Sequence, residues 1–259
     1  MEHVRGVAPL QIAASDQFRS AEGRADSAKW PGLKRFKPDF SVLRDNRIVT
    51  GSRFEPANAA LEVLRTKVLR LLREYGWKSI IVTSPTPGCG KSVIAINLAF
   101  SLARVADRHV ALLDLDLRRP SVAKYLQLEA PVPMEKFLTG TATVEEIFVS
   151  WQDSLAIAAN ESLVADPIGL LQSSSAQAAI AKVDEELKPD VIIGDMPPVF
   201  DSGDVLAFAS SFDCVLLVAG AGTTTISEIE TCERELARVT NVLGIVLNKC
   251  EFMAHRSGY

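Results

Sequence analysis

The chain has 259 residues, 47% of them hydrophobic and 23% charged, with a formal net charge of −4. That composition belongs to a globular protein long enough for one large domain with an extension, and its mild acidity argues against nucleic acid as the main partner. No apolar run approaches the roughly 20 residues that cross a bilayer, and the first residues lack a signal-peptide layout, so the chain reads as cytoplasmic.

Residues 1–56 mix polar, charged, Gly and Pro residues without a sustained period and are predicted to form a mostly disordered arm. A small basic-aromatic cluster, "KRFKPDF", lies within it. A folded domain is expected over 57–250 and a short flexible tail over 251–259. The first helix is "NAALEVLRTKVLRLLREYG", where Leu61, Leu64, Val68, Leu71 and Leu72 recur in steps that make one apolar stripe. From residue 78 the pattern alternates. "KSIIVTS" reads as a buried strand, followed by a glycine-rich loop and a helix over 91–106. "HVALLDLD" is the next strand. Helices are expected near 134–139, 143–149 and 175–187, with a short strand "LAIAA" among them. "DVIIGDM", "CVLLVAG" and "VLGIVLN" complete the strands. Near-continuous apolar strands alternating with helices predict an α/β fold, a mostly parallel sheet covered on both faces, with ligands at the carboxyl ends of its strands.

The loop "SPTPGCGKS" departs from the common pattern G-x-x-x-x-G-K-[ST], because Pro85 stands where the first glycine belongs. The cradle survives the change. Backbone N–H groups at a helix start converge on phosphate oxygens, and the donors of Gly88, Cys89, Gly90, Lys91, Ser92 and Val93 all remain. Lys91 supplies a positive charge for the outer phosphates and Ser92 a hydroxyl for Mg²⁺. Asp114 and Asp116 close one apolar strand and Asp195 closes another, where carboxylates bind a metal–triphosphate complex. The four cysteines (Cys89, Cys214, Cys232, Cys250) show no C-x-x-C spacing, and the three histidines are scattered, which argues against a zinc site or a disulfide framework. Cys214 and Cys250 read as small buried apolar residues.

Three stretches, "TSPTPGCGKS", "ALLDLDLRRPSV" and "VIIGDMPPVFDSGDVL", in this order and spacing, resemble the bacterial tyrosine kinases of capsule and exopolysaccharide systems. The resemblance runs from Glu62 to Lys249 and implies a P-loop NTPase fold. It implies that "SPTPGCGKS" is Walker A and "LLDLD" a second motif, with Asp114 the candidate base and Asp116 beside it. It further implies that "IIGD" is Walker B, with Ser92, Asp114 and Asp195 around the metal, and that Asn248 contacts adenine. ATP and Mg²⁺ are the implied cofactors, and a tail tyrosine, here Tyr259, the implied phosphoacceptor. A membrane-embedded polysaccharide chain-length or co-polymerase protein is the implied partner, which would place the chain at the inner face of the plasma membrane. Homo-oligomers are implied as well.

The chain departs from the family pattern in two places. Its tail contains one tyrosine rather than a cluster, and an interface motif E-x-x-R-x-x-R retains Glu62 and Arg65 but has Val68 at the third position. Two other readings stand beside the kinase. One is a MinD/ParA-like ATPase without kinase activity, although such loops carry a lysine where this chain has Thr86. The other is a catalytically weak ATP-binding regulator of a membrane co-polymerase.

Overall fold

The structure is a computed structural model that describes residues 30–49 and 56–250. Its strands are β1 (Lys34–Arg35), β2 (Ser79–Thr83), β3 (Val110–Asp114), β4 (Val149–Trp151), β5 (Leu155–Ala158), β6 (Val191–Asp195), β7 (Cys214–Gly220) and β8 (Asn241–Asn248). They form one sheet in the order β1-β4-β5-β3-β6-β2-β7-β8. From β5 to β8 all neighbours are parallel, and β4 runs antiparallel to β5.

The helices are α1 (Phe40–Asp45), α2 (Pro56–Tyr75), α3 (Lys91–Ala103), α4 (Val122–Leu126), α5 (Met134–Leu138), α6 (Val144–Ile147), α7 (Pro167–Leu171), α8 (Ser174–Leu187), α9 (Asp204–Phe208) and α10 (Ile226–Leu236). Alternation along each strand sorts them into two layers. On β3, Ala111 and Leu113 point into a core with Phe137 of α5, Val183 of α8 and Phe208 of α9. Val110 and Leu112 point into the opposite core, with α3 and with Val68 and Leu72 of α2. Helix α3 is buried on nearly every side, because α2 packs over the face that the sheet leaves open.

The strand expectations match the observed strands to within one or two residues. Helix α3 ends at Ala103 rather than 106, and the segment 143–149 divides into α6 and the first residue of β4. The larger correction concerns the arm of 1–56. Over 30–49 it is folded onto the domain, whereas residues 1–29 and 50–55, like the tail 251–259, lie outside the described residues. Trp30 is 5% exposed; its Nε1 donates to Leu187 O at 2.8 Å and its ring meets that of His109 edge-on. Lys34–Arg35 adds a parallel edge to β4, and Leu43 and Ile48 are buried against the α3–α4 layer. Asn97 of α3 fastens the far end, accepting from Val49 N at 2.6 Å and donating to Arg47 O at 3.0 Å. These anchors are single residues in an irregular path, so they leave no periodic trace. Cys250 is also corrected: it is exposed, since it lies past the end of the outermost strand.

Because Trp30 is a buried anchor remote from the strand carboxyl ends, Trp30→Ala is expected to lower unfolding free energy by about 3–5 kcal/mol in urea titrations. Nucleotide affinity should stay unchanged.

Candidate functional site

The carboxyl ends of β3, β6 and β2 lie side by side. Asp114 is the register partner of Asp195, and Asp195 in turn is the partner of Val82, just before the phosphate loop. The sheet therefore delivers two carboxylates and the loop to one place, at the start of α3.

The loop keeps its shape without the first glycine because the chain after β6 supports it. Met196 N donates to Val82 O at 3.1 Å, Val199 N to Ser84 O at 2.8 Å and Phe200 N to Pro85 O at 3.1 Å. Thr83 Oγ1 adds a bond to Pro197 O at 2.6 Å. Pro85 is thus held through its carbonyl, the one backbone group a proline can still offer. Gly90 caps α3 with φ of 90°, a left-handed conformation that favours glycine. A Cβ there would also collide with the Asn248 side chain. Asn248 reaches across from the end of β8, its Nδ2 donating to Cys89 O at 2.9 Å. Cys89 is buried beneath the loop, its sulfur 3.4 Å from Thr224 Oγ1. Burial opposes ionisation of this thiol, but hydrogen bonds with Thr224 and Thr86 outweigh it and hold its pKa below the ordinary cysteine value.

Lys91 Nζ lies 2.8 Å from Asp116 Oδ2, 3.4 Å from Asp195 Oδ1 and 3.3 Å from Ser92 Oγ. Burial works against the ammonium, yet the Asp195 and Asp116 charges together raise its pKa above that of ordinary lysine. Burial likewise raises the pKa of Asp195, with Lys91 and the Ser92 hydroxyl opposing. The second oxygen of Asp195, Oδ2, is buried without a hydrogen-bond partner.

The aspartates of "LLDLD" have different surroundings. Asp114 Oδ2 accepts from Ser121 N and Val122 N, each at 2.9 Å, and its Oδ1 accepts from Asp116 N at 3.3 Å. Its carboxylate faces the backbone at the start of α4. Burial first, and the Asp195 charge second, push its pKa to about 8 despite those donors. Asp116 instead turns one oxygen to Lys91 and the other to Arg119 N at 2.9 Å.

The structure thus gathers Gly88, Cys89, Gly90, Lys91, Ser92, Val93, Asp114, Asp116, Asp195 and Asn248 around one helix start. Tyr259 lies outside the described residues. Among the described residues, no group of three His, Cys, Asp or Glu side chains is arranged to hold a metal. A metal here would complete its shell with Ser92, water and phosphate oxygens, the coordination Mg²⁺ favours in phosphate sites. A cleft of about 430 Å³ lined by Lys78, Gln177, Asp184 and Ser211 lies elsewhere, at the opposite end of β2. Sequence reasoning missed the pairing of Arg118 with buried Asp204, although both residues stand in the stretches "LDLRRP" and "FDSGDVL".

Loop, strand-end carboxylates and sheet order define a P-loop NTPase. The chain belongs to the ParA family, whose model, described as "NUBPL iron-transfer P-loop NTPase", matches residues 77–258. It is similar to the tyrosine-protein kinase CpsD of Streptococcus pneumoniae serotype 4, 29% identical over 184 residues, which cover 70% of this chain and 80% of the relative. It is also similar to the tyrosine-protein kinase ptk of Acinetobacter johnsonii, 28% identical over 191 residues, 73% of this chain and 26% of the relative. The chain thus spans about a quarter of the longer curated relatives it matches. Among solved structures it resembles the VpsO kinase domain, with 27% identity and a TM-score of 0.67, covering 75% of this chain and 96% of that one.

Folded Asp114 keeps its proton up to a pH of about 8, whereas unfolded it releases the proton near 3.8. Between these values the native state binds more protons, so this group's contribution to stability declines as pH rises through the window. Asp114→Asn removes the titration. The melting temperature of the variant, relative to the parent, is expected to climb from pH 4 towards pH 8 and then level off; differential scanning fluorimetry across that range checks it.

Proposed function

We propose that the chain is an ATP- and Mg²⁺-dependent phosphotransferase that moves the γ-phosphoryl group of ATP to a tyrosine hydroxyl, and that it regulates exopolysaccharide or capsule synthesis. The observation that carries this reading is the placement of Lys91 between Asp116 and Asp195 at the start of a helix. In that reading Lys91 and the amides of 88–93 hold the phosphates, and Ser92, Asp195 and Asp114 surround the metal. The orphaned Asp195 Oδ2 supports the metal assignment, since a buried acceptor without a donor suits a metal-bound water. Bound Mg²⁺ would neutralise charge developing on the phosphoryl oxygens.

The geometry favours Asp116 over Asp114 as the acceptor of the tyrosine proton. Asp114 already receives three backbone donors, while Asp116 Oδ2 is engaged only with Lys91 and becomes free when that ammonium turns to a phosphate. Asn248, now bonded to the loop backbone, sits beside the position proposed for adenine.

The proposed partner is a membrane-embedded chain-length or co-polymerase protein, with the chain docked at the inner face of the plasma membrane. Among the described residues no helix is long and apolar enough to cross a membrane. The name CapA2B2, a chimerical protein whose structure matches with a TM-score of 0.73 at 23% identity, belongs to a relative that shares the fold. Homo-oligomers would use α2, where Glu62 is exposed. We do not adopt iron transfer, because the described cysteines are scattered and three are buried singly, whereas iron needs a converging ligand set. The second reading is an ATPase or ATP-binding regulator without kinase activity.

Incubation with γ-labelled ATP and Mg²⁺ separates these readings. Phosphotyrosine at Tyr259 is the expected outcome; released phosphate without protein label means a plain ATPase, and binding without turnover means a regulator. Lys91→Met is expected to abolish nucleotide binding and to lower any turnover by at least about 100-fold while the fold persists. Turnover at the parent rate in that variant would refute the site assignment.

A further inference from the structure

The run "LDLRRP" carries arginines that no part of the phosphate cradle uses. Arg118 leaves the turn two residues after Asp116 and grips Asp204 with both prongs of its guanidinium, Nε to Oδ2 at 2.8 Å and Nη2 to Oδ1 at 3.0 Å. Asp204 is the first residue of α9 and is fully buried, whereas the Arg118 side chain is 40% exposed. Arg119 reaches Asp201 at 3.6 Å, but from a side chain that is 73% exposed. Both pairs join the same two segments. One is the turn after β3 that carries Asp116; the other is the chain after β6, downstream of Asp195, whose first residues support the phosphate loop.

The two pairs do not count equally. The exposed Arg119 pair contributes little. The Arg118 fork answers a buried carboxylate, which cannot lose its partner without being stranded in the core. A guanidinium also fixes direction as well as charge, because two parallel bonds define a plane that a lysine cannot reproduce. Within the turn itself Asp116 is held by Lys91 at 2.8 Å, by Asp114 Oδ1 on its own N–H at 3.3 Å and by Arg119 N at 2.9 Å, and Leu117 O accepts from Val164 N at 3.1 Å. Of the side chains beyond Asp116, Arg118 is the one that ties the turn to α9 through a two-pronged bond.

We propose that Arg118 is a positioning residue which, through Asp204, fixes the Asp116 carboxylate at the mouth of the phosphate loop in the orientation that meets the acceptor hydroxyl. The role of Asp116 in this statement rests on the phosphotransferase reading above; the clamp between the two segments does not. It adds to the β3–β6 pairing a second tie between the Asp116 turn and the segment after β6, beyond the end of the strands.

The test is the double variant Arg118→Met/Asp204→Leu, which breaks the fork without leaving a buried charge alone. Hydrogen exchange, read by mass spectrometry without nucleotide, is expected to speed up by about tenfold or more over residues 115–121 and to stay unchanged in β2 and α3. Nucleotide Kd should stay within about twofold, while the rate of phosphoryl transfer falls by about 10- to 100-fold, a loss in kcat rather than in binding. Parent-like exchange over 115–121, or a parent-like kcat, in the folded variant would overturn the proposal. Should the double variant fail to fold, Arg118→Lys, which keeps the charge and loses the fork, carries the same two readouts. If the parent protein neither labels itself nor turns over ATP, the phosphotransferase reading falls, and exchange alone decides whether the clamp exists.

Discussion

One ammonium group held between two carboxylates organises this molecule. Lys91, the first residue of α3, meets Asp116 from the turn after β3 and Asp195 from the end of β6, almost out of reach of water. Such a buried charge cluster adds little to stability, because the cost of removing the ions from water consumes most of their attraction. Its value is positional. It keeps the lysine beside the loop amides, charged, with its carboxylate partners waiting to exchange it for phosphate oxygens.

The surrounding fold is arranged to bear that cluster. Helix α3 is enclosed by the sheet on one side and α2 on the other, so its first turn cannot drift away from the strand ends. The loop is held from both flanks, by the backbone of 196–200 on one and by Asn248 and Thr224 on the other. Asp114 fixes the start of α4 through the N–H groups of Ser121 and Val122, and burial pushes its pKa to about 8.

The parallel sheet was legible in the sequence because a strand buried on both faces is written as an apolar run, and β2, β3, β6 and β7 are such runs. The loop and its strand-end aspartates were legible for a related reason: the chemistry needs fixed residue types at fixed places. What escaped notice lacked a period. Trp30, Leu43 and Ile48 each bury one side chain in an irregular path, so residues 30–49 looked like an arm. The different surroundings of Asp114 and Asp116 depend on which way each side chain turns at a strand end, and "LLDLD" does not encode that. The Arg118–Asp204 fork joins residues 86 positions apart, a pairing that only the sheet order brings together.

The most direct measurement of the central claim is a crystal structure of the chain with Mg²⁺ and a non-hydrolysable ATP analogue. In that complex Lys91 Nζ is expected to leave Asp116, now 2.8 Å away, and to bind the outer phosphates, with the metal between Ser92 and the strand-end carboxylates. A nucleotide bound away from residues 88–92, or a lysine still paired with Asp116 while the analogue occupies the loop, would contradict it.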